Sequence, residues 1–341
     1  MPPLAEDTLA TEPVYLPDPD LVAAAQVALE LGLPLLLTGE PGTGKTTFAR
    51  YVADHLAPEY LHHGGIPGIP GPLPLHIFET KSTSVANDLF YRFDSLRRFH
   101  AVHDQRMSAN TIDYITFEAL GTAILESLPW HDVADLLLAE HHCGPRQAVV
   151  LIDEIDKAPR DFPNDLLNEI DHMRFRIAEL TATDGRSVRE LRAPKPLRPI
   201  VILTSNSEKN LPAPFLRRCV FHHIRFPERE FGAARLAEIV RANLAQASGP
   251  LTNSAIEFFY DIREQLELEK PPSTSELVQW VRILYSRNHL AVNHTRSDSE
   301  LATLPSSYLK ATLSVIGKTA NDLGKIYQLA DSQFGTSMGE A

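Results

Sequence analysis

The chain has 341 residues, of which 43% are hydrophobic, so it is long enough for two domains with buried cores. Its 32 basic and 44 acidic side chains give a net charge of -12, which argues against a protein that mainly coats nucleic acid or an anionic membrane. The apolar runs are too short to span a bilayer, and residues 1–20 lack a basic-then-apolar targeting pattern. Two cysteines without metal-ligand spacing, Cys143 and Cys219, are typical of packed, reduced thiols, so we expect a cytoplasmic protein.

Three elements precede the first motif. Residues 1–17 predict an extended arm, and residues 18–31 predict an amphipathic helix that Asp18 or Asp20 could cap. The apolar run 33–37 follows and predicts a short strand. The first motif therefore directly follows a predicted strand.

The segment 39–46 reads G-x-x-x-x-G-K-[ST], the phosphate-binding loop of nucleotide hydrolases. It lies in the required context, because a strand precedes it and residues 46–56 have helical spacing. Glycines let backbone N–H groups wrap around phosphate oxygens, and the helix N-terminus favours the anion. We expect Lys45 to reach the β- and γ-phosphates of ATP, and the Thr46 hydroxyl to bind Mg²⁺. The predicted nucleotide-binding residues are Gly39, Glu40, Pro41, Gly42, Thr43, Gly44, Lys45, Thr46 and Thr47.

The region after this loop alternates between irregular and regular segments. Prolines and glycines at 58–74 exclude regular structure and predict a surface loop. Residues 75–80 predict a second strand, and residues 83–103 predict one long amphipathic helix with i,i+4 ion pairs. Residues 117–142 predict another helical region, interrupted near Pro129.

The run 148–154 is apolar until it ends in Asp153 and Glu154. A uniformly apolar strand is buried on both faces, as in a parallel sheet, and open α/β sheets bind ligands at the carboxyl ends of such strands. The run resembles a Walker B motif, in which Asp153 holds Mg²⁺ through water and Glu154 polarises the attacking water as general base.

The remaining elements divide the chain into two parts. A helix, a hairpin, a buried strand, a short helix and a last strand are predicted at 161–173, 175–199, 200–206, 211–218 and 219–226. After Pro227 the pattern is helical only, and Ser273 to Glu276 form a capping-box sequence. We therefore expect an arm at 1–17, an α/β domain at 18–227 and a helical domain at 228–335.

Four of these segments together resemble the AAA+ ATPases, and most closely their MoxR branch. The matching segments are 39–46, 151–158, the strand end 203–206, which is similar to sensor 1, and 211–218, which is similar to the arginine-finger helix. The resemblance implies an α/β P-loop core with a five-stranded parallel sheet of order 5-1-4-3-2, followed by a smaller all-α lid. It also implies a homo-oligomer, a hexameric ring that binds ATP and Mg²⁺ between subunits.

The resemblance also implies roles for further residues. Asn206 would hydrogen-bond the attacking water or the γ-phosphate, and Arg217 or Arg218 would neutralise charge in the neighbouring subunit's site. The alternative for both arginines is a helix C-terminus stabilised by cations. Residues 80–103 would hold the helix-2 insertion, and the hairpin at 175–199 would be the pre-sensor hairpin; both would face a pore that grips a protein client. Relatives in this branch often act on a partner with a von Willebrand A domain.

The chain departs from the branch at Ser275, where a sensor 2 arginine is usual. A serine cannot bind phosphate with a guanidinium fork, so Lys270 or another basic residue substitutes, or lid closure is less coupled to the γ-phosphate. Two functions stay open: a chaperone-like ATPase that remodels a partner protein, or an ATP-binding switch with slow or no hydrolysis, for which a bacterial defence system is one setting. The acidic balance disfavours a nucleic-acid motor, although Arg92, Arg97 and Arg98 could line a pore. The helical end disfavours a small-molecule kinase.

Overall fold

A computed structural model describes residues 14–58, 71–103, 110–137, 142–181, 188–207, 211–285 and 300–334. Contacts divide the chain into two units. Unit 1 comprises Met1–Leu16, Glu40–Gly44 and Arg225–Ala341, and unit 2 comprises Pro17–Gly39 and Lys45–Ile224. The domain boundaries expected from the sequence stay predictions. Most of the expected loop at 58–74 and the tip of the expected hairpin lie outside the described residues.

Unit 2 is built on a five-stranded parallel sheet. The strands of this unit are, in chain order, β1 (Leu35–Gly39), β2 (Leu75–Glu79), β3 (Tyr91–Phe93), β4 (Ile115–Phe117), β5 (Val149–Asp153), β6 (Arg174–Thr181), β7 (Val188–Arg192), β8 (Ile200–Ser205) and β9 (Val220–Ile224). The sheet order is β2-β5-β8-β1-β9. If its five strands are counted along the chain, this is the order 5-1-4-3-2, so the predicted fold class is confirmed.

The central strands are uniformly apolar because both faces of the sheet are covered. Leu36, Leu151 and Leu203 of β1, β5 and β8 are completely buried. β5 and β8 run parallel, with Ile152 opposite Leu203. The polar residues that follow these two positions therefore reach the same edge of the sheet.

The following α-helices belong to unit 2, and several of them contact strands of the sheet. They are α1 (Pro19–Leu31), α2 (Lys45–Tyr51), α3 (Ser95–His103), α4 (Ala119–Glu126), α5 (Trp130–Val133), α6 (Phe162–His172) and α7 (Ala213–Leu216). The Asp18 carboxylate caps α1 by accepting a hydrogen bond from the N–H of Asp20 at 2.9 Å, and Gly32 ends the helix with φ +63°. After α2 the chain continues as a π-helix, Val52–Leu56.

The single helix predicted at 83–103 is wrong. A 3₁₀ turn, Ala86–Leu89, is followed by β3, which pairs antiparallel with β4, and only then by α3. Tyr91 is buried, and its hydroxyl accepts a hydrogen bond from the N–H of Ala178 at 3.1 Å. Asp94 accepts from the N–H of Arg97 at 2.8 Å, which starts α3 after the strand. Tertiary contacts of the aromatic residues therefore override the helical pattern of the local sequence.

The predicted hairpin is confirmed as β6 and β7, which pair antiparallel. Arg176 and Glu190 face each other across it, with Nε and Oε2 at 2.6 Å. The prediction of two packed thiols is correct for one cysteine only. Burial raises the pKa of Cys219 to about 12, whereas Cys143 is exposed; both are free thiols.

Unit 1 is helical in its described residues after Phe226. Its helices are α8 (Arg229–Asn243), α9 (Pro250–Gln265), α10 (Thr274–Leu284), α11 (Ser306–Leu313) and α12 (Ala320–Phe334). Ser273 and Glu276 form the predicted capping box at the start of α10. Gly317 lets the chain between α11 and α12 approach α12 closely, because a Cβ there would lie 2.9 Å from Leu323 Cδ1. Among the described helices, none is long and apolar enough to cross a membrane.

Candidate active site

The phosphate loop connects β1 to α2 through glycines that need positive φ. Gly39, Gly42 and Gly44 have φ values of +146°, +74° and +90°, which L side chains rarely adopt. The Thr43 hydroxyl donates to the carbonyl of Glu40 at 2.9 Å and holds the loop's turn. The loop predicted from the sequence therefore has the backbone that a phosphate cradle requires.

Lys45 is the first residue of α2, and its ammonium group is directed back towards the loop. Its Nζ donates to the carbonyl of Gly39 at 2.8 Å and to Oδ1 of Asn206 at 3.0 Å. The residue is only 7% exposed, so its charge is held by these contacts rather than by bulk water. Lys45 is thus fixed at the end of β8, beside a predicted catalytic residue.

Thr46 and Asp153, the two predicted Mg²⁺ ligands, are in contact. The Thr46 hydroxyl donates to Oδ2 of Asp153 at 3.1 Å, and the Thr204 hydroxyl donates to Oδ1 of the same carboxylate. Mg²⁺ usually binds one or two protein oxygens together with substrate phosphates and water, and this pair fits that donor set. In the ranges that the structure describes, no cluster of three His, Cys, Asp or Glu side chains suggests another metal site.

Glu154 occupies an unusual backbone conformation at the end of β5. Its φ is +55°, and its N–H donates to the Thr204 hydroxyl at 2.9 Å. Left-handed backbone at a non-glycine residue is strained by about 1–3 kcal/mol and clusters at active sites. The carboxylate forms an ion pair with Lys157 and raises the pKa of that lysine. It also accepts from Nδ2 of Asn206 at 3.4 Å.

Asn206 links Lys45 to Glu154, the predicted general base. Its amide oxygen accepts from Lys45 while its amide nitrogen donates to Glu154, and its backbone N–H donates to Asp156 at 3.1 Å. We name the following residues the strand-end cluster: Lys45, Thr46, Asp153, Glu154, Thr204 and Asn206. Thr47 follows on α2 and is half-buried.

The two predicted finger arginines follow α7 and lie outside the strand-end cluster. Arg218 pairs with Asp171 of α6, with Nη1 and Oδ2 at 3.4 Å. Arg217 is exposed, and no side-chain hydrogen bond or ion pair joins its guanidinium to another residue of the described segments. In these segments neither arginine side chain contacts the cluster.

Two further residues of the site, Thr204 and Lys157, have no role predicted from the sequence. Thr204 is completely buried and orients both acidic residues, through the Asp153 carboxylate and the Glu154 N–H. The strand register could have revealed it, because the pairing of Ile152 with Leu203 puts the next residue of β8 beside Asp153. Lys157 follows Glu154 by three residues, a spacing that allows an ion pair in one helical turn.

Loop residues 40–44 belong to unit 1 and have close neighbours in that unit. A Cβ on Gly42 would lie 2.4 Å from Ser273 Oγ and 2.9 Å from Ser275 Oγ, and one on Gly44 would lie 2.7 Å from the Tyr15 ring. Arg263 of α9 contacts Glu40, with Nη2 and Oε2 at 2.8 Å. Ser275, at the expected sensor 2 position, therefore places a hydroxyl group beside the loop. The cation beside the loop is supplied by Arg263 instead. We name Tyr15, Arg263, Ser273 and Ser275 the helix-side contacts.

Comparison with known proteins gives one family and several structures. Residues 35–228 match the family described as ATPase family associated with various cellular activities (AAA). Three point-mutant structures of Thermotoga maritima RuvB are similar to this chain. One gives 13% identity and a TM-score of 0.40, covering 92% of this chain and 67% of that chain. The other two each give 15% identity and a TM-score of 0.44, covering 86% of this chain and 67% of theirs. A search of curated proteins finds no match.

Proposed function

The chain belongs to the AAA family of ATPases, and from that premise we propose that it hydrolyses ATP to ADP and phosphate in the presence of Mg²⁺. One observation carries this proposal most strongly: Asn206 joins Lys45 to Glu154. A protein that only binds nucleotide needs the lysine, but it needs neither a carboxylate beside it nor a side chain that orients both. The linkage supports a site arranged for attack on a phosphate.

Each member of the strand-end cluster has a proposed role. The loop N–H groups and Lys45 bind the β- and γ-phosphates. Thr46 and Asp153 hold Mg²⁺, which neutralises charge on the phosphate oxygens when bound. Glu154 accepts a proton from the attacking water, while Asn206 orients that water and Thr204 fixes both acidic residues. The Lys157 ammonium pairs with the ionised form of Glu154, which is the form that accepts a proton.

Replacing Lys45 tests whether the loop binds nucleotide. Lys45→Ala removes a buried cation at the phosphates, so we expect nucleotide affinity and turnover to fall by at least a factor of about 10². Binding of a fluorescent ATP analogue and phosphate release measure the two effects. Lys195→Ala, at an exposed lysine of unit 2, is the matched control and should change neither by more than about twofold. Unchanged binding in Lys45→Ala would remove the basis of the proposal.

We propose that the site is completed by a second copy, and that Arg217 rather than Arg218 supplies the cation. Arg218 is engaged by Asp171, whereas the exposed Arg217 side chain has no such partner in the described segments. A cation acting in trans must be available to the neighbouring subunit. Arg217→Ala should lower turnover by about 10³ or more. Arg218→Ala loses only an exposed ion pair and should change turnover by less than about threefold.

A mixing experiment tests the trans arrangement directly. Glu154→Gln lacks the base but keeps Arg217, and Arg217→Ala has the opposite defect. Mixed assemblies of the two inactive variants regain activity if one copy completes the site of the next. No recovery in assemblies that light scattering shows to be mixed contradicts the arrangement. The proposed assembly is a homo-oligomeric ring, and the proposed number of subunits is six.

The proposed biological role is remodelling of a partner protein, and the partner class is a protein with a von Willebrand A domain. It rests on the resemblance of the motif segments to the MoxR branch. The second candidate is an ATP-binding switch, which the serine at position 275 favours, since it cannot contact the γ-phosphate as an arginine does. Turnover above about 1 s⁻¹, within the ordinary enzyme range, favours the remodelling ATPase over the switch.

A further inference from the structure

Glu40 places a negative charge in a loop that is proposed to bind a polyanion. The loop's N–H groups attract phosphate, whereas a carboxylate nearby repels it through the Coulomb interaction. The Glu40 side chain is 49% exposed, so water screens this repulsion only in part. A cation beside Glu40 would offset this repulsion.

Arg263 brings such a cation to Glu40, and three contacts hold its guanidinium group in place. Its Nη2 donates to Oε2 of Glu40 at 2.8 Å, its Nη1 donates to the carbonyl of Pro272, and its guanidinium carbon lies 3.8 Å from the centre of the Phe226 ring. The Arg263 side chain is only 12% exposed. Stacking and the fork geometry hold the guanidinium in one position, so little ordering is needed when the loop binds its ligand.

The other helix-side contacts carry no charge. Ser273 and Ser275 bring hydroxyls to Gly42, and Tyr15 brings an aromatic ring to Gly44. The two serine hydroxyls are 3.1 Å apart, and Ser273 also donates to Glu276, so they are committed to the start of α10. Arg263 is the member of this group that changes the electrostatic potential of the loop.

We infer that Arg263 is the fixed counter-ion of Glu40, and that this ion pair allows the loop to accept a polyphosphate. The inference rests on the proposed nucleotide binding and deepens it. Arg263 is a positioning residue, because it acts on the phosphates through Glu40 and not by contact. If Arg263 acts in this way, removing the charge of Glu40 should also remove the requirement for Arg263 in nucleotide binding.

A double-mutant cycle tests this dependence. The proteins are wild type, Arg263→Ala, Glu40→Gln and the double variant, and the probe is a fluorescent ATP analogue with Mg²⁺. Arg263→Ala should weaken binding about tenfold, because Glu40 loses this counter-ion near the phosphates. In the Glu40→Gln background the same substitution should matter little, so the double variant should bind within about threefold of Glu40→Gln. Arg282→Ala, at an exposed arginine of α10, is the control and should change binding by less than about twofold.

Two results overturn the inference. A double variant as weak as Arg263→Ala means that Arg263 acts by direct phosphate contact or by holding the fold. Full binding by Arg263→Ala means that the counter-ion is dispensable. Melting temperatures of the four ligand-free proteins report the ion pair independently, and non-additive shifts are expected. If wild type does not bind the analogue, the proposed function and the counter-ion role both fail, whereas the melting cycle still shows whether the pair forms.

Discussion

The strand-end cluster of unit 2 and the helix-side contacts of unit 1 are built from different chemical groups. In the cluster, Asn206 connects the buried Lys45 to the Glu154 carboxylate through hydrogen bonds of 3.0 and 3.4 Å. Thr204 donates to the Asp153 carboxylate and accepts from the N–H of Glu154. On the helix side, Glu40 and Arg263 form an ion pair and the serine contacts are hydroxyls. The cluster can orient water and move a proton, whereas the helix-side contacts can only set charge and loop position. Apart from Lys45, which is proposed to bind the phosphates, the first group should therefore control turnover and the second should control nucleotide affinity.

Substitution of Asn206 should give the largest difference between the effect on turnover and the effect on nucleotide affinity. Asn206→Ala removes the link between Lys45 and Glu154, so kcat should fall by about 10²–10³ while KM changes by less than about threefold. Steady-state phosphate release gives both constants. Asn168→Ala, at an exposed position of α6, is the control. A variant with raised KM and normal kcat would reverse the roles given to the two groups.

A buried group of charged side chains in unit 2, around Glu126, should affect the stability of the protein and not its turnover. Glu126 accepts from Arg146 at 2.6 Å and contacts His76 Nε2 at 2.9 Å, and its side chain is only 9% exposed. Glu126→Gln leaves the Arg146 charge without its carboxylate and should destabilise the protein by about 3 kcal/mol at neutral pH. Denaturant unfolding measures this loss, and kcat below the unfolding transition should be unchanged.

The same carboxylate predicts a pH dependence. Burial by itself raises the pKa of Glu126. Hydrogen bonds from His76 and Arg146 lower it by a larger amount, so the pKa of Glu126 in the folded protein lies below the ordinary value of 4.5. A depressed folded-state pKa gives stability that is present above 4.5 and is lost as the pH falls through the folded value. The stability gap between wild type and Glu126→Gln should therefore shrink below pH 4.5. A gap that stays constant as the pH falls below 4.5 would show that the fold does not lower the pKa of Glu126.

The smallest predicted effect concerns how unit 1 holds Tyr15 at the loop. The Asn243 amide accepts from the N–H of Val14 and donates to its carbonyl, both at 3.0 Å. Asn243→Ala should cost about 1 kcal/mol locally, so the Val14 amide should exchange with solvent about fivefold faster. Hydrogen exchange measures this directly, and kcat should not change. Unaltered exchange would mean that another contact holds this segment.

Local motifs were readable from the sequence because neighbouring residues build them. The phosphate loop needs only its own glycines and Lys45, and the acidic end of β5 follows from one buried strand. The sheet order came from the family resemblance, and the structure has the same order. The capping box at Ser273 was found for the same local reason.

What the sequence did not predict depends on contacts between distant residues. Arg263 lies 223 residues from Glu40, and no local pattern marks it among the other arginines of the helical segment. Tyr91 and Phe93 form a strand because β4 pairs with them, although their polar neighbours favour a helix. Thr204 could have been found only after the register of β5 and β8 was known.

The most direct test of the central claim is phosphate release by wild type and Glu154→Gln at equal nucleotide occupancy, with assembly followed by light scattering. The substitution keeps the shape of the side chain and removes its ability to accept a proton. We expect Glu154→Gln to bind ATP within about threefold of wild type and to lose turnover by a factor of about 10²–10⁴. Equal turnover in the two proteins at the same assembly state would contradict the assignment of Glu154 as the base.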